Sequence, residues 1–252
     1  MGIASIQSAA LNYPVERVDM AIAFRSAARL NLHEAVANHF SLAVNDSGSQ
    51  FLMNPNQRHF STLSASDLLL LDANDPQVMD RPDAPDPTAW GLHAMVHSLV
   101  PHARCIMHAH PIFSTVLASL ADSRLPAIDQ NTATFFERVV IDEEFGGLAF
   151  EAEGRRIAAQ LDDPEKRVMV MGNHGVLVIG ATVAETFNRL YYFERAAETY
   201  IRALQTGLPL RVIPDDIAAR TAAEIADYPG QAELHLAGMR AVLDSQGDDY
   251  AR

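Results

Sequence analysis

The chain has 252 residues, 19 basic against 32 acidic side chains and 48% hydrophobic residues, which excludes a disordered chain and fits one large or two small globular domains. A formal charge of -13, with no Lys/Arg cluster to offset it, excludes nucleic acid and anionic membrane surfaces as partners. No apolar stretch approaches the roughly 20 residues of a membrane span, a lone Cys105 makes no internal disulfide, and residues 1–7 lack the basic start and apolar run of an export signal, so the cytoplasm is the expected location.

Pro14 followed by Val18, Ile22, Arg25, Ala28 and Leu32 at three- and four-residue steps predicts an amphipathic helix with proline in its first turn. Two extended pieces follow, Ala35 to Val44 and Gln50 to Met53, and the Asn45-Asp46-Ser47-Gly48 stretch between them suits a hairpin. Beyond the apolar Leu68 to Leu71, the segment Asp72 to Pro87 holds four prolines and five aspartates and reads as a surface loop. Thr88 is the expected cap of a helix through Trp90, His93 and His97 that stops at Pro101. Cys105-Ile106-Met107 then reads as a buried strand ending at His108-Ala109-His110-Pro111.

An alternating pattern continues with a helix (Ile112 to Leu120), a strand (Val139 to Ile141), a helix (Glu151 to Leu161) and strands at Val168 to Met171 and Val176 to Ile179. Asn173-His174-Gly175 separates those last two strands. Thr182 caps a long helix reaching about Leu204, which Gly207-Leu208-Pro209 ends. The tail reads as two further helices divided by Tyr228-Pro229-Gly230, with apolar positions sparse enough to suit a subunit contact, a lid or the main core. No composition break resembles a linker, so the expected organisation is one domain over residues 1–210 and a helical C-terminal extension over 211–252.

Chemistry concentrates in the histidines. His108 and His110 stand two apart at a strand end, which turns both imidazoles to one face, and His174 follows another buried strand beside a glycine. Three imidazoles with an open position suit a catalytic zinc, manganese or iron ion; the competing reading of an HxH pair is two rings hydrogen-bonded to backbone at a strand end. His93 and His97 share a helix face beside Trp90 and Met95, where a core or interface role is the ordinary one. His33, His59, His102 and His235 lie in polar surroundings that solvation explains. His39, inside Asn38-His39-Phe40-Ser41 on an otherwise apolar strand, is either structural or lines a pocket. The only lysine, Lys166, sits in a charged turn, which disfavours Schiff-base chemistry.

HAHP after an apolar strand, NHGVLVIG some sixty residues later, and an opening helix leading to an NHFS turn together resemble the class II aldolase/adducin family over about residues 12 to 205. The resemblance implies an α/β fold, a three-layer α/β/α sandwich around a central, largely antiparallel sheet, and homotetramers with active sites between subunits. It makes His108, His110 and His174 the metal-binding histidines. Two departures matter. The acidic residue that the family's sugar-phosphate aldolases carry four residues before the histidine matching His93 is here Ala89; Asp86 is a substitute if its loop reaches in, although the aspartates around it make a solvated loop residue the expectation. The glycine-bearing phosphate loops correspond to Asn38-His39-Phe40-Ser41 and Asn54-Pro55-Asn56-Gln57, whose larger side chains narrow a phosphate cradle.

Both departures point toward a smaller or flatter small-molecule substrate, as in the family's branch that decarboxylates hydroxylated aromatic acids. The expected function is a metal-dependent carbon–carbon lyase, cleaving by decarboxylation or retro-aldol reaction through a metal-stabilised enolate or phenolate-like anion. His39, Asn38, Ser41 and Asn54 would orient substrate, and Tyr191 would supply a phenol as proton donor. The alternatives are an adducin-like binding scaffold without activity, and a dehydratase or epimerase on the same metal site.

Overall fold

The computed structural model describes residues 12–144, 146–148 and 150–252; residues 1–7, with their expected lack of an export signal, lie outside them. Helix α1 (Pro14–Arg29) has its proline in the first turn, as its sequence requires. Strand β1 (His39–Ala43) is shorter than the Ala35 to Val44 expected, because Ala35 (φ 45°) is left-handed and the Ala37 amide donates to the Glu34 carbonyl, a turn that no strand accepts. Strand β2 is Gln50–Met53, and the hairpin pairs Ser41 with Met53 and Ala43 with Phe51. Leu68 to Leu71 becomes edge strand β3 (Leu69–Asp72), which pairs antiparallel with β2.

Helix α2 (Pro87–Leu99) is capped by Asp86 and not by Thr88: the Asp86 carboxylate accepts the Thr88 and Ala89 amides, while Pro87 takes the first helical position, where its missing N–H costs nothing. Strand β4 (Cys105–Ala109), helix α3 (Ile112–Ala118), a one-turn helix α4 (Gln130–Ala133), strand β5 (Val139–Asp142) and helix α5 (Glu151–Ala159) follow. Strands β6 (Val168–Met171) and β7 (Gly175–Gly180) then lead to helix α6 (Val183–Gln205), whose cap is Thr182. The chain finishes with α7 (Asp215–Ala226) and α8 (Gln231–Ser245).

The seven strands form one sheet in the order β3-β2-β1-β4-β7-β6-β5. Every neighbouring pair is antiparallel except β5 and β6. Alternation along β4 sends Cys105, Met107 and Ala109 into a core with α1, α3, α6 and α8, while Ile106 joins Leu92, Val96 and Ile157 of α2 and α5 on the other face. The result is the three-layer α/β/α sandwich with a largely antiparallel sheet. Leu236 and Leu243 of α8 and the following Tyr250 belong to the first of these cores, which answers for α8 the question its sparse pattern left open. The Ala65 and Ser66 amides donate to the carbonyls of Tyr250 and Arg252, so the tail is tied back to the body of the fold.

The same alternation prepares the site. His39 lies opposite His108 across the β1–β4 pair, and both face α2, the side of the sheet to which Ser41 also points.

Candidate functional site

His108 and His110 extend from the end of β4, and His174 occupies the turn before β7. That turn is built for the purpose. Asn173 adopts φ 57°, its amide donates to Ala118 O at 2.8 Å, and the His174 amide donates to Met171 O at 3.0 Å. Gly175 is required by close approach, since a Cβ there would stand 2.5 Å from His110 Cδ2 and 2.7 Å from the Ala109 carbonyl oxygen. The three imidazoles meet as a result: one ligand nitrogen from each lies within 4.8 Å of the others, and the ring centroids are 4.7 to 4.9 Å apart.

Outer partners decide which nitrogens are offered. His108 Nδ1 donates to Val176 O at 3.1 Å, and His110 Nδ1 lies 2.6 Å from the Glu34 carboxylate. The two Nε2 atoms are thereby turned toward each other and stand 3.0 Å apart, within reach of one shared cation. Imidazoles held by a carbonyl or carboxylate on the far nitrogen are the usual support of a metal site. Burial, followed by the neighbouring His110, lowers His174 to about 4, and burial holds His108 well below its ordinary 6.5, so both are neutral ligands at physiological pH. The donor set therefore fits a divalent cation.

A cavity of about 340 Å³ opens beside this cluster, lined by Asn38, His39, Asn54, Asp86, Ala89 and the three histidines among others. The Asn54 amide stitches one wall, accepting from the Phe40 amide at 3.0 Å and donating to Asn38 O at 3.3 Å. Asn38 Oδ1 accepts from the Glu34 amide at 2.6 Å, while its Nδ2 is buried with no hydrogen-bond partner among the described residues. Asp86 is half-buried and borders the cavity, where the sequence suggested a solvated loop residue; its capping of α2 brings it there. Burial raises its pKa, but hydrogen bonds from the Thr88 hydroxyl and the Ala89 and Thr88 amides outweigh that and leave it below the ordinary value.

Other expected residues sit elsewhere. Ser41 is fully buried beneath the cavity and bonds His93 and His97. Tyr191 packs its ring against Tyr192 and His235 and is not among the cavity-lining residues. His235 is no solvated surface group: it packs against Phe187 and bonds Asn188 Oδ1 at 2.9 Å. Glu34 carried no signal in the sequence, because it reaches His110 across 76 positions of chain. A larger cleft of about 440 Å³ between α6 and the C-terminal helices holds Arg138, Arg167 and Arg189 but no cluster of three metal donors among the described residues. No helix of the described residues is long and apolar enough to cross a membrane.

Comparison with known proteins agrees with this geometry. The chain is 28% identical over 203 residues to a class 2 aldolase-like protein of Pseudomonas aeruginosa, covering 81% of this chain and 77% of that one. It is 25% identical over 210 residues to decarboxylase NovR of Streptomyces niveus, covering 82% and 76%. Among solved structures, an aldolase II superfamily protein from Pseudomonas syringae superposes with a TM-score of 0.84 at 25% identity, over 97% of this chain and 98% of that one. The family described as Class II Aldolase and Adducin N-terminal domain matches residues 18–201, and the chain, with a three-histidine cluster consistent with a divalent metal site, belongs to that family as an enzyme of the class II aldolase type.

Proposed function

We propose that this chain is a carbon–carbon lyase that takes a small carboxylated or oxo-hydroxy compound and cleaves it by decarboxylation or retro-aldol reaction. The observation that carries this reading is the convergence of His108, His110 and His174 within 4.8 Å at the edge of a cavity, with the outer nitrogens of His108 and His110 already engaged. The three histidines would hold zinc, manganese or iron. When bound, such an ion supplies Lewis acidity, drawing electron density from substrate oxygens as the carbon–carbon bond breaks.

The remaining work belongs to the chain's own side chains. His39 and Asn38 orient the substrate from the β1 side, and Asn54 braces them. The buried, unpartnered Asn38 Nδ2 is a donor for a substrate oxygen, since an unmet donor costs about 1–3 kcal/mol. Ala89 and Leu92 make the wall under α2 apolar. With Ala89 at the position where sugar-phosphate aldolases carry an acid, Asp86 is the carboxylate left at the cavity wall, and it serves proton transfer better than Tyr191, which lies outside the cavity. Assembly as a homotetramer is part of this reading and rests on the family, and a cytoplasmic location rests on the single cysteine.

The test is a screen of hydroxylated aromatic acids and aldol sugars with zinc, manganese or iron(II) added, following carbon dioxide and aldehyde. Metal-dependent release of either supports the proposal, and rapid cleavage of a sugar phosphate in preference to unphosphorylated compounds contradicts the substrate class. A second reading, an adducin-like scaffold, draws on Ala89 and on the 24% identity to rat alpha-adducin over 75% of this chain. Failure of the purified protein to take up any of these metals would favour it.

A further inference from the structure

Behind the cavity runs a continuous line of buried hydrogen bonds through three histidines and a serine. His97 Nδ1 lies 3.0 Å from the Ala103 carbonyl oxygen, His97 Nε2 lies 2.7 Å from Ser41 Oγ, Ser41 Oγ bonds His93 Nδ1, and His93 Nε2 lies 2.7 Å from His39 Nδ1. All four side chains are buried. No carboxylate bonds any of the three rings, and a buried cation without a counter-ion is costly, so the imidazoles are uncharged.

The polarity of the line follows from its end. A backbone carbonyl only accepts, so the hydrogen of His97 is on Nδ1 and its Nε2 is an acceptor. The Ser41 hydroxyl has one hydrogen and must donate it to His97, which makes Ser41 Oγ the acceptor for His93 Nδ1–H. His93 Nε2 is then a lone pair, and His39 Nδ1 must donate to it. His39 is left with its lone pair on Nε2, which has no hydrogen-bond partner among the described residues, at the wall of the cavity.

We infer that His97, Ser41 and His93 are positioning residues that lock the tautomer of His39, so that the cavity meets its substrate with an imidazole acceptor and accepts there a hydroxyl hydrogen, not a phosphate or carboxylate oxygen. The tautomer half stands on the hydrogen-bond geometry and the burial of the rings; the substrate half rests on the lyase reading and narrows it to compounds bearing a free hydroxyl at the His39 end. The cavity lining supports this narrowing. It contains no lysine or arginine among the described residues, and it contains the Asp86 carboxylate, a second acceptor. An anionic group at His39 would set lone pair against lone pair.

The experiment is nitrogen NMR of the full-length, zinc-supplemented protein with labelled histidine, its signals assigned through His39→Asn, His93→Asn and His97→Asn. Protonated Nδ1 and unprotonated Nε2 are expected at all three rings, and a protonated Nε2 at His39 overturns the inference. In Ser41→Ala the line is cut, and His39 is expected to populate both tautomers; an unchanged spectrum in a folded Ser41→Ala protein also overturns it. Should that variant not fold, the wild-type spectrum decides. Dihydroxyacetone, a neutral hydroxyl donor, is expected to shift the His39 Nε2 signal at concentrations about tenfold below any at which inorganic phosphate does, the scale of one buried hydrogen bond. The reverse order overturns the substrate half. Absence of carbon dioxide or aldehyde release from every compound screened, with the expected NMR spectrum, removes the lyase reading and leaves the tautomer lock standing.

Discussion

At the scale of single residues, the candidate metal donors were legible and their supports were not. An HxH pair at a strand end has its geometry written in the period of two, and a histidine beside a glycine after a second strand needs only a neighbouring turn to join it. Glu34 and Asp86 depend on contacts no spacing encodes: one reaches His110 from the loop after α1, the other arrives because it caps α2. Removing the carboxylate at Glu34→Gln should weaken metal binding by about 10- to 100-fold without unfolding the protein, because His110 loses the partner that aims it. A chelator competition titration, with circular dichroism as control, measures this. His108→Ala and His174→Ala should each abolish turnover and metal retention while leaving the fold intact; wild-type rates in both would remove them from the site.

Among the elements, β2 and β6 occupy the expected residues, and α6 begins at its expected cap. Short alternating or wholly apolar runs bounded by turns leave few options. The one-turn α4 and the edge strand β3 carried too little periodicity to be assigned, the first being four residues and the second a plain leucine run. Close helix contact was equally hidden. A Cβ on Gly154 of α5 would stand 2.1 Å from the Gly91 carbonyl oxygen of α2. Gly154→Ala should therefore push α2 and α5 apart and destabilise the fold by about 1–3 kcal/mol, the usual cost of overpacking, read from a denaturant titration. Glu194, on α6, accepts the Phe113 and Ser114 amides and the Ser114 hydroxyl, capping α3 directly after the HAHP segment. Glu194→Ala should cost about 0.5–2 kcal/mol, as loss of a helix cap does, and loosen metal binding through the displaced His110; an unchanged chelator titration would show that α3 does not hold that strand end.

Across the whole molecule, the buried histidines tie stability to pH. His39 and His97 titrate near 3 when folded against 6.5 when exposed, both chiefly through burial. The unfolded chain therefore binds more protons than the folded one between these values, and stability should be at its full value above about 6.5 and fall steadily as pH drops toward 3. Thermal melts from pH 8 to 4 measure this; a melting temperature that stays level or rises on acidification would show that these rings are not buried neutral. The pattern of apolar runs in the sequence determined the alternating α/β elements and the strand ends that bear the candidate metal donors, because both follow from local periodicity and its interruptions, while the layered sandwich was legible only through the family resemblance. Only the tertiary structure decided that Tyr191 packs on α8, that Asp86 borders the cavity and that His93, Ser41 and His97 stand in line behind His39. Those relations join residues from different elements, and their geometry is set by how the sheet and α2 pack.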